Sequence, residues 1–342
     1  MKMKIKKIAS LLMLTAAVFF AAGCTEPDKP TPGGGDTPGG GDTPDVPTIP
    51  TGAIDGLFTI NEQGGKVYFS QGNLQYQAST NTWRFAEHQW DHVGGKYGMN
   101  NNVRYWGNVP ESDNTLASAN YAGWQDLFSW GTSGWSGGVE AYQPYLILTG
   151  FEVDAKYILG GDPANGLVGD YANADWGIYN AISNGGNKAG MWRTLTSDEW
   201  VYVFERRSGK RFCKAQVEGA NGMILLPDGW DNTVFSLKNI NQTGSNWTDN
   251  TLDASTWTNT LEPAGAVFLP TTGKRTIANM NTYWDIHLDL DENYGLYWST
   301  TPRVNSYNTY VAYQYNFHKS NANLDVGIRN QGLAVRLVQD VL

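Results

Sequence analysis

Four short stretches carry residue types that could do chemistry. In EHQWDH, His88 and His92 stand four apart beside Glu87 and Asp91, a spacing that on a helix would turn two imidazoles toward one metal ion. No third ligand is evident, and such pairs also serve as surface or capping residues. In DIHLDLDEN, Asp285, His287, Asp289 and Asp291 alternate with Ile286, Leu288 and Leu290. A strand would gather the acids on one side, either as a cation cluster or as a solvated face. A calcium loop starting at Asp289 is excluded, because Tyr294 and Thr300 occupy the positions that need Gly and Glu. Gly134-Trp135-Ser136-Gly137-Gly138 matches the G-x-S-x-G of a hydrolase nucleophile. No buried strand precedes it and Pro144 interrupts the segment after it, so a Gly-rich loop is expected. The fourth stretch, NSYNTYVAYQYNFHKSNANLDVGIRN at 305–330, offers binding rather than reaction. No P-loop or dinucleotide fingerprint occurs, and neither a catalytic residue, a metal nor a cofactor is expected.

If 308–318 is a strand, Val311, Tyr313, Tyr315 and Phe317 project to a core face, while Asn308, Tyr310, Ala312, Gln314, Asn316 and His318 project to the other. That second face mixes Tyr, which is immobilised at low entropic cost, with Asn for adaptable hydrogen bonds, the composition of antibody binding loops. It reads as a display surface continued by a loop from Asp325 to Asn330. The alternative is a solvated strand with Asn-rich turns. The contact candidates are Arg303, Tyr307, Asn308, Tyr310, Asn316, His318, Asp325, Ile328 and Asn330, with Tyr and His as anchors and Asn and Asp orienting. Trp298, Tyr315, Phe317, Val335 and Leu337 are the expected scaffold beneath them.

Something must hold those residues in place, and the chain has the means. With 41% hydrophobic and 17% charged residues over 342 positions, it can bury a substantial core. Fourteen Trp, eighteen Tyr and forty Gly favour short strands and tight turns over long helices. GLFTI, KVYFS, TWRFA, YLILTG, KRFCKAQV, GMILLP, GAVFLP, YVAYQYNF and LAVRLV read as strands. One helix is marked by a Thr196/Glu199 capping box, with Trp200, Val203 and Phe204 on its apolar face, Glu205, Arg206 and Arg207 wet, and an end at Ser208-Gly209. A second is expected near NYAGWQDLFSW. The fold class is therefore α+β, with short antiparallel strands, about two helices and long loops. Cys213, between Phe212 and Lys214, should pack as a small apolar residue.

The N-terminus bears on location. Lys2, Lys4, Lys6 and Lys7 precede an apolar stretch too short for a stable membrane span, which reads as a signal peptide over 1–23. Ala21-Ala22-Gly23-Cys24 resembles a bacterial lipobox, which implies lipidation of Cys24 and membrane attachment. The alternative is cleavage at the small residues with Cys24 ordinary. Loss of the four leader lysines leaves 20 basic against 33 acidic residues, a formal charge of −13 that disfavours nucleic acid as a partner. Residues 24–52, with TPGGGD twice in tandem, form a tether with a reach of roughly 30 Å. Residues 53–342 make up one ligand-binding domain.

The order of several motifs carries a resemblance across most of 54–342. Trp192-Arg193-Thr194-Leu195-Thr196 through Glu199-Trp200 resembles the helix start of the formylglycine-generating-enzyme-like branch of the C-type lectin fold. Gly295 to Thr300 and Gly332 to Val338 resemble its closing strands. KVYFSQGNLQYQ, NTWRFA and DLFSWGTSGW are similar to surface lipoproteins of Bacteroidales with this fold. The enzyme branch's copper-binding cysteine pair has no counterpart, since Cys213 is single. The calcium motifs of sugar-binding lectins are absent too, Glu262-Pro263 being followed by Ala264. The resemblance thus implies a C-type-lectin-like domain that binds a macromolecular or glycan ligand as an adhesin or receptor-binding protein, not an enzyme. A degenerate sulfatase-modifying-type enzyme and a carbohydrate-binding structural lipoprotein are the alternatives. The chain also resembles variable proteins of diversity-generating retroelements, in which template adenines mutate. Asp325, Val326, Gly327, Ile328, Asn330, His318, Tyr310 and Tyr307 are each reachable by changing adenines in AAC, whereas Gln314 and Lys319 are not. Glu26 and Asp28 after Cys24 imply, by the same resemblance, export to the cell surface.

Overall fold

The computed structural model describes residues 48–92, 103–105, 118–146, 153–280, 283–289, 293–304 and 310–341. Thr48–Leu342 forms one compact unit. The leader, Cys24 and most of the tether lie outside the described residues, as do Tyr307 and Asn308. The architecture is α+β, mostly sheet, and among the described residues no helix is long and apolar enough to cross a membrane.

Ala53–Thr59, Lys66–Ser70, Leu337–Asp340 and Arg193–Thr194 make one four-stranded sheet, so Leu337–Asp340 is clamped between Lys66–Ser70 and Arg193–Thr194. Thr251–Leu252, Phe212–Val217, Ala220–Leu225 and Val267–Pro270 make a second sheet, whose inward residues include Cys213, held dry as a small apolar group. Burial pushes its thiol up to about 12. The third is the C-terminal sheet, ordered Asn321–Ile328, Val311–His318, Gly295–Arg303, Leu333–Ala334 and Leu127–Phe128. Beside it, Lys274–Met280, Tyr283–Asp289 and Val103–Tyr105 form a three-stranded antiparallel sheet.

The capped helix forms as its sequence requires. Thr196 Oγ1 accepts from Glu199 N and Glu199 Oε2 accepts from Thr196 N, closing both halves of the capping box. Trp200, Val203 and Phe204 are buried, Trp200 and Phe204 against the C-terminal sheet, where Trp200 Nε1 donates to Trp298 O at 3.2 Å. The helix widens to a π-turn over Tyr202–Arg206 and ends at Arg207, two residues before Gly209, whose φ of +80° suits a residue without a Cβ.

Several expectations are corrected. Arg207 is buried rather than wet, because its donors meet Val203 O, Leu226 O and Asp228 Oδ1. No helix forms over 120–130. Gln125 exchanges backbone hydrogen bonds with Tyr76, and Leu127–Phe128 is a strand, because both of those side chains are buried. Two further α-helical segments occur among the described residues, Trp176–Tyr179, capped by Asp175, and Ala254–Thr256 with its continuation Trp257–Leu261, capped by Asp253. Tyr145 and Leu146 form no strand, and the rest of YLILTG lies outside the described residues. LAVRLV is divided between two sheets, with Arg336 buried at the crossing and donating to Gln89 Oε1 and Asn73 Oδ1. Asp325 to Ile328 belongs to a strand, not a loop.

Candidate functional site

The strand Val311–His318 pairs antiparallel with both neighbours, and directly paired residues share a face. On one face, Tyr297, Tyr315 and Phe317 are fully buried under the capped helix. Phe204 and Tyr315 stack at 4.1 Å, and Tyr297 and Phe317 at 5.8 Å. Gly295 is required here, since a Cβ would lie 2.0 Å from the Phe317 ring. Tyr315 Oη donates to Glu205 Oε1 at 3.2 Å, while burial raises its phenol well above the usual range. All five scaffold residues, Trp298, Tyr315, Phe317, Val335 and Leu337, are buried.

The other face differs from the expected display surface. Ala312 and Gln314 are buried, and Asn316 and His318 are half-buried. The cause is Trp298, which shares this face with Gln314. Its indole Nε1 donates to Phe128 O at 2.7 Å, and its ring lies under Gly327, where a Cβ would approach to 2.8 Å. Tyr313, expected in the core, is only half-buried.

What remains open is a cleft of about 550 Å³. Leu296, Gln314, Asn316 and Asp325 contribute to its sheet side, while Gly273, Lys274, Tyr294 and Gln331 come from flanking segments. Backbone bonds hold that flank: Thr272 N and Gly273 N donate to Tyr294 O, and Arg275 and Gly332 exchange bonds at 2.7 and 2.8 Å. Gln314 Nε2 donates to Val326 O at 3.3 Å and Asn316 Nδ2 to Asp325 Oδ2 at 3.4 Å. The amide oxygens of both side chains are buried without a hydrogen-bond partner.

Of the sequence candidates, Asn316, Asp325 and Ile328 meet at this cleft, and Ile328 is 40% exposed. His318 stands next to it, its ring 5.2 Å from that of Tyr294. Arg303 and Tyr310 are half-buried and do not line it. Asn330 is committed to the framework, its Nδ2 donating to Asp154 Oδ1 at 3.0 Å and its carbonyl accepting from Ser129 Oγ. Lys274, Tyr294, Leu296, Gln314 and Gln331 are among the lining residues that sequence reasoning did not select, as is Val311, which was expected on the core face. Gln314 carried a usable signal, since it alternates with Asn316 on the face already singled out.

The outer edge of Asn321–Ile328 explains part of the Asn richness. Asn321 Oδ1 accepts from Ala322 N, Asn323 Nδ2 donates to Leu324 O and Asp325 Oδ1 accepts from Val326 N, at 2.8 to 3.0 Å. These side chains occupy backbone groups that an exposed edge would otherwise offer to another strand.

The remaining motifs fall elsewhere. His88 and His92 lie in turn and coil, with His88 stacked on Trp90 at 4.7 Å and His92 Nδ1 3.2 Å from Trp90 O. Ser136 is exposed in a turn, as expected of a Gly-rich loop. Asp285, His287 and Asp289 are in the strand Tyr283–Asp289, and Asp291 lies outside the described residues. Among the described residues no three His, Cys, Asp or Glu side chains gather as a metal-binding group. Compared with models of protein families, with curated proteins and with solved structures, the chain matches none.

Proposed function

We propose that this is a ligand-binding module of the cell surface, anchored in the outer membrane by lipid on Cys24 and using the C-terminal sheet for recognition, as an adhesin or receptor-binding protein does. One observation carries the reading: the cleft brings Asn316, Asp325 and Ile328 together with unpaired amide oxygens beside them, over a rigid aromatic framework. Stiff support under adaptable polar groups lowers the entropy lost on binding. The leader and the resemblance to Bacteroidales lipoproteins support the location, and the order of the motifs supports a C-type-lectin-like domain of the formylglycine-generating-enzyme type. Adenine-directed diversification is part of the same proposal.

Cells displaying the full chain should attach to a mucin-coated surface. Cells displaying the triple variant Asn316→Ala, Asp325→Ala, Ile328→Ala should not, although the purified variant melts within a few degrees of the parent. Equal attachment by the two, or attachment by neither, removes the proposal. For diversification, a downstream near-copy of the region encoding 305–330, differing at adenines and accompanied by a reverse transcriptase gene, is the deciding observation.

A further inference from the structure

Val311, Gln314, Asn316, Asp325, Val326 and Ile328 of the cleft wall all belong to one hairpin, Val311–His318 with Asn321–Ile328. The shape of the cleft therefore depends on how that hairpin is held. A fully buried cation stands at each end of it, Lys214 by the turn and Arg329 just after the second strand. Lys214 Nζ donates to Lys319 O in the turn at 2.7 Å, to Ser245 O at 3.3 Å and to Thr243 O. It also lies 4.9 Å from the centre of the Trp247 ring, and Trp247 meets Phe317 of the hairpin edge-on, with ring centroids 6.5 Å apart. At the open end, Arg329 Nε donates to Val311 O at 3.2 Å and Nη2 to Pro163 O, while the guanidinium sits 4.4 Å from the Trp130 ring.

Among the described residues neither cation forms an ion pair. Loss of hydration lowers the Lys214 ammonium to about 8, against the pull of Asp249, and the Arg329 guanidinium to about 10. Both charges are thus held at a cost, and what offsets it is main-chain oxygen and an indole face. A carbonyl oxygen is the same acceptor whichever side chain its residue carries. These two cations hold backbone, and the side chains that the cleft presents play no part in the hold.

We propose that Lys214 and Arg329 are positioning residues of the recognition hairpin, each fixing one end of its backbone to a neighbouring segment so that the cleft is formed before a ligand arrives. Lys214 ties the turn to the loop at 243–245 and to the strand Phe212–Val217, and Arg329 ties the open end to the segment at Pro163. Geometry formed in advance removes an ordering cost from binding. Their role in binding rests on the ligand-binding reading of the cleft, whereas the pinning of the backbone does not.

Amide hydrogen exchange of the full chain, resolved to single residues, provides the test. Lys214→Met keeps an apolar stem and removes three hydrogen bonds, so exchange at 316–323 should quicken about a hundredfold or more. Arg329→Met removes two and should quicken 310–313 and 326–329 about tenfold or more. In both variants Ala53–Thr59 and Lys66–Ser70, which touch neither cation, should stay within about twofold of the parent. Arg329→Lys, which keeps the charge and a donor, should recover protection that Arg329→Met loses. In the parent, below the Lys214 pKa of about 8, one lysine ammonium should keep its hydrogens in slow exchange with water. Attachment to the mucin-coated surface should fall about twofold or more in both methionine variants, in step with the fraction of hairpins that are open. Exchange that quickens equally through the whole domain, or a variant that does not fold, makes the cation a general stabiliser and overturns the inference. Unchanged exchange at the hairpin, or no slowly exchanging ammonium in the parent, overturns it as well. Local loosening with attachment unchanged removes the role in binding alone, and a parent that does not attach removes the ligand-binding reading and that role together.

Discussion

The two faces of the strand Val311–His318 are built from adjacent residues and behave as opposites. On the helix side, Tyr315 and Phe317 lie in an aromatic stack that excludes water, and Tyr315 Oη has found Glu205. On the cleft side, Gln314 and Asn316 retain amide oxygens with no partner. A buried carboxylate makes the same contrast with an exposed one. Asp175 is fully enclosed and accepts from Gly177 N at 2.9 Å and Thr194 N at 2.8 Å, whereas Asp325 is exposed and partly unused. One ladder of backbone hydrogen bonds can thus carry a stability face and a recognition face, because successive side chains leave a strand in opposite directions.

Breaking the dry face should cost most. Tyr315→Ala empties the stack beneath the helix and should destabilise the domain by about 3–5 kcal/mol, read from urea unfolding. A loss below about 1 kcal/mol would mean that the stack does not support the sheet. The next largest effect is a pH dependence. Burial, opposed by the hydrogen bonds from Thr194 and Gly177, raises the Asp175 carboxyl from 3.8 to about 6. The folded state therefore holds this proton where the unfolded chain has lost it. Its contribution to stability is full below 3.8 and lost as pH rises through about 6. Relative to Asp175→Asn, the parent should lose stability across that window by about 3 kcal/mol, measured by unfolding at about pH 3.5 and 7. A flat difference contradicts it.

The cleft face should respond the other way. Gln314→Leu removes an unpaired acceptor together with the 3.3 Å bond to Val326 O at nearly constant volume, so stability should stay within about 1 kcal/mol of the parent, while ligand capture falls. A large destabilisation would reassign Gln314 to the framework. Smallest of all, His318→Ala removes a half-exposed ring beside Tyr294 and should change stability by less than about 0.5 kcal/mol. Any weakening of binding by that variant should be matched by Tyr294→Ala, since the two rings touch.

Much of this organisation was legible in the residues. The T-x-x-E box, the apolar stripe of Trp200, Val203 and Phe204, and the strands around KVYFS, KRFCKAQV and YVAYQYNF depend on near neighbours and on a period of 3.6 or 2, which a sequence displays directly. NYAGWQDLFSW misled because its apolar residues suit either period, and the pairing of Gln125 with Tyr76, distant in the chain, decided for extended backbone. The edge strand Asn321–Ile328 was hidden by its Asn content, which signals turns unless a neighbouring strand is known to be there.

By itself the sequence determined the binary character of Val311–His318, one aromatic face and one amide face, because side-chain alternation is a property of the extended backbone. It also determined the helix cap. Only the tertiary structure decided how much of the amide face stays open. Trp298, donating to Phe128, covers part of it, and Gly273, Lys274, Tyr294 and Gln331 wall the cleft that is left. Those residues come from separate strands and turns, and their convergence is fixed by packing across the sheet, for which the linear order of residues contains no local signal.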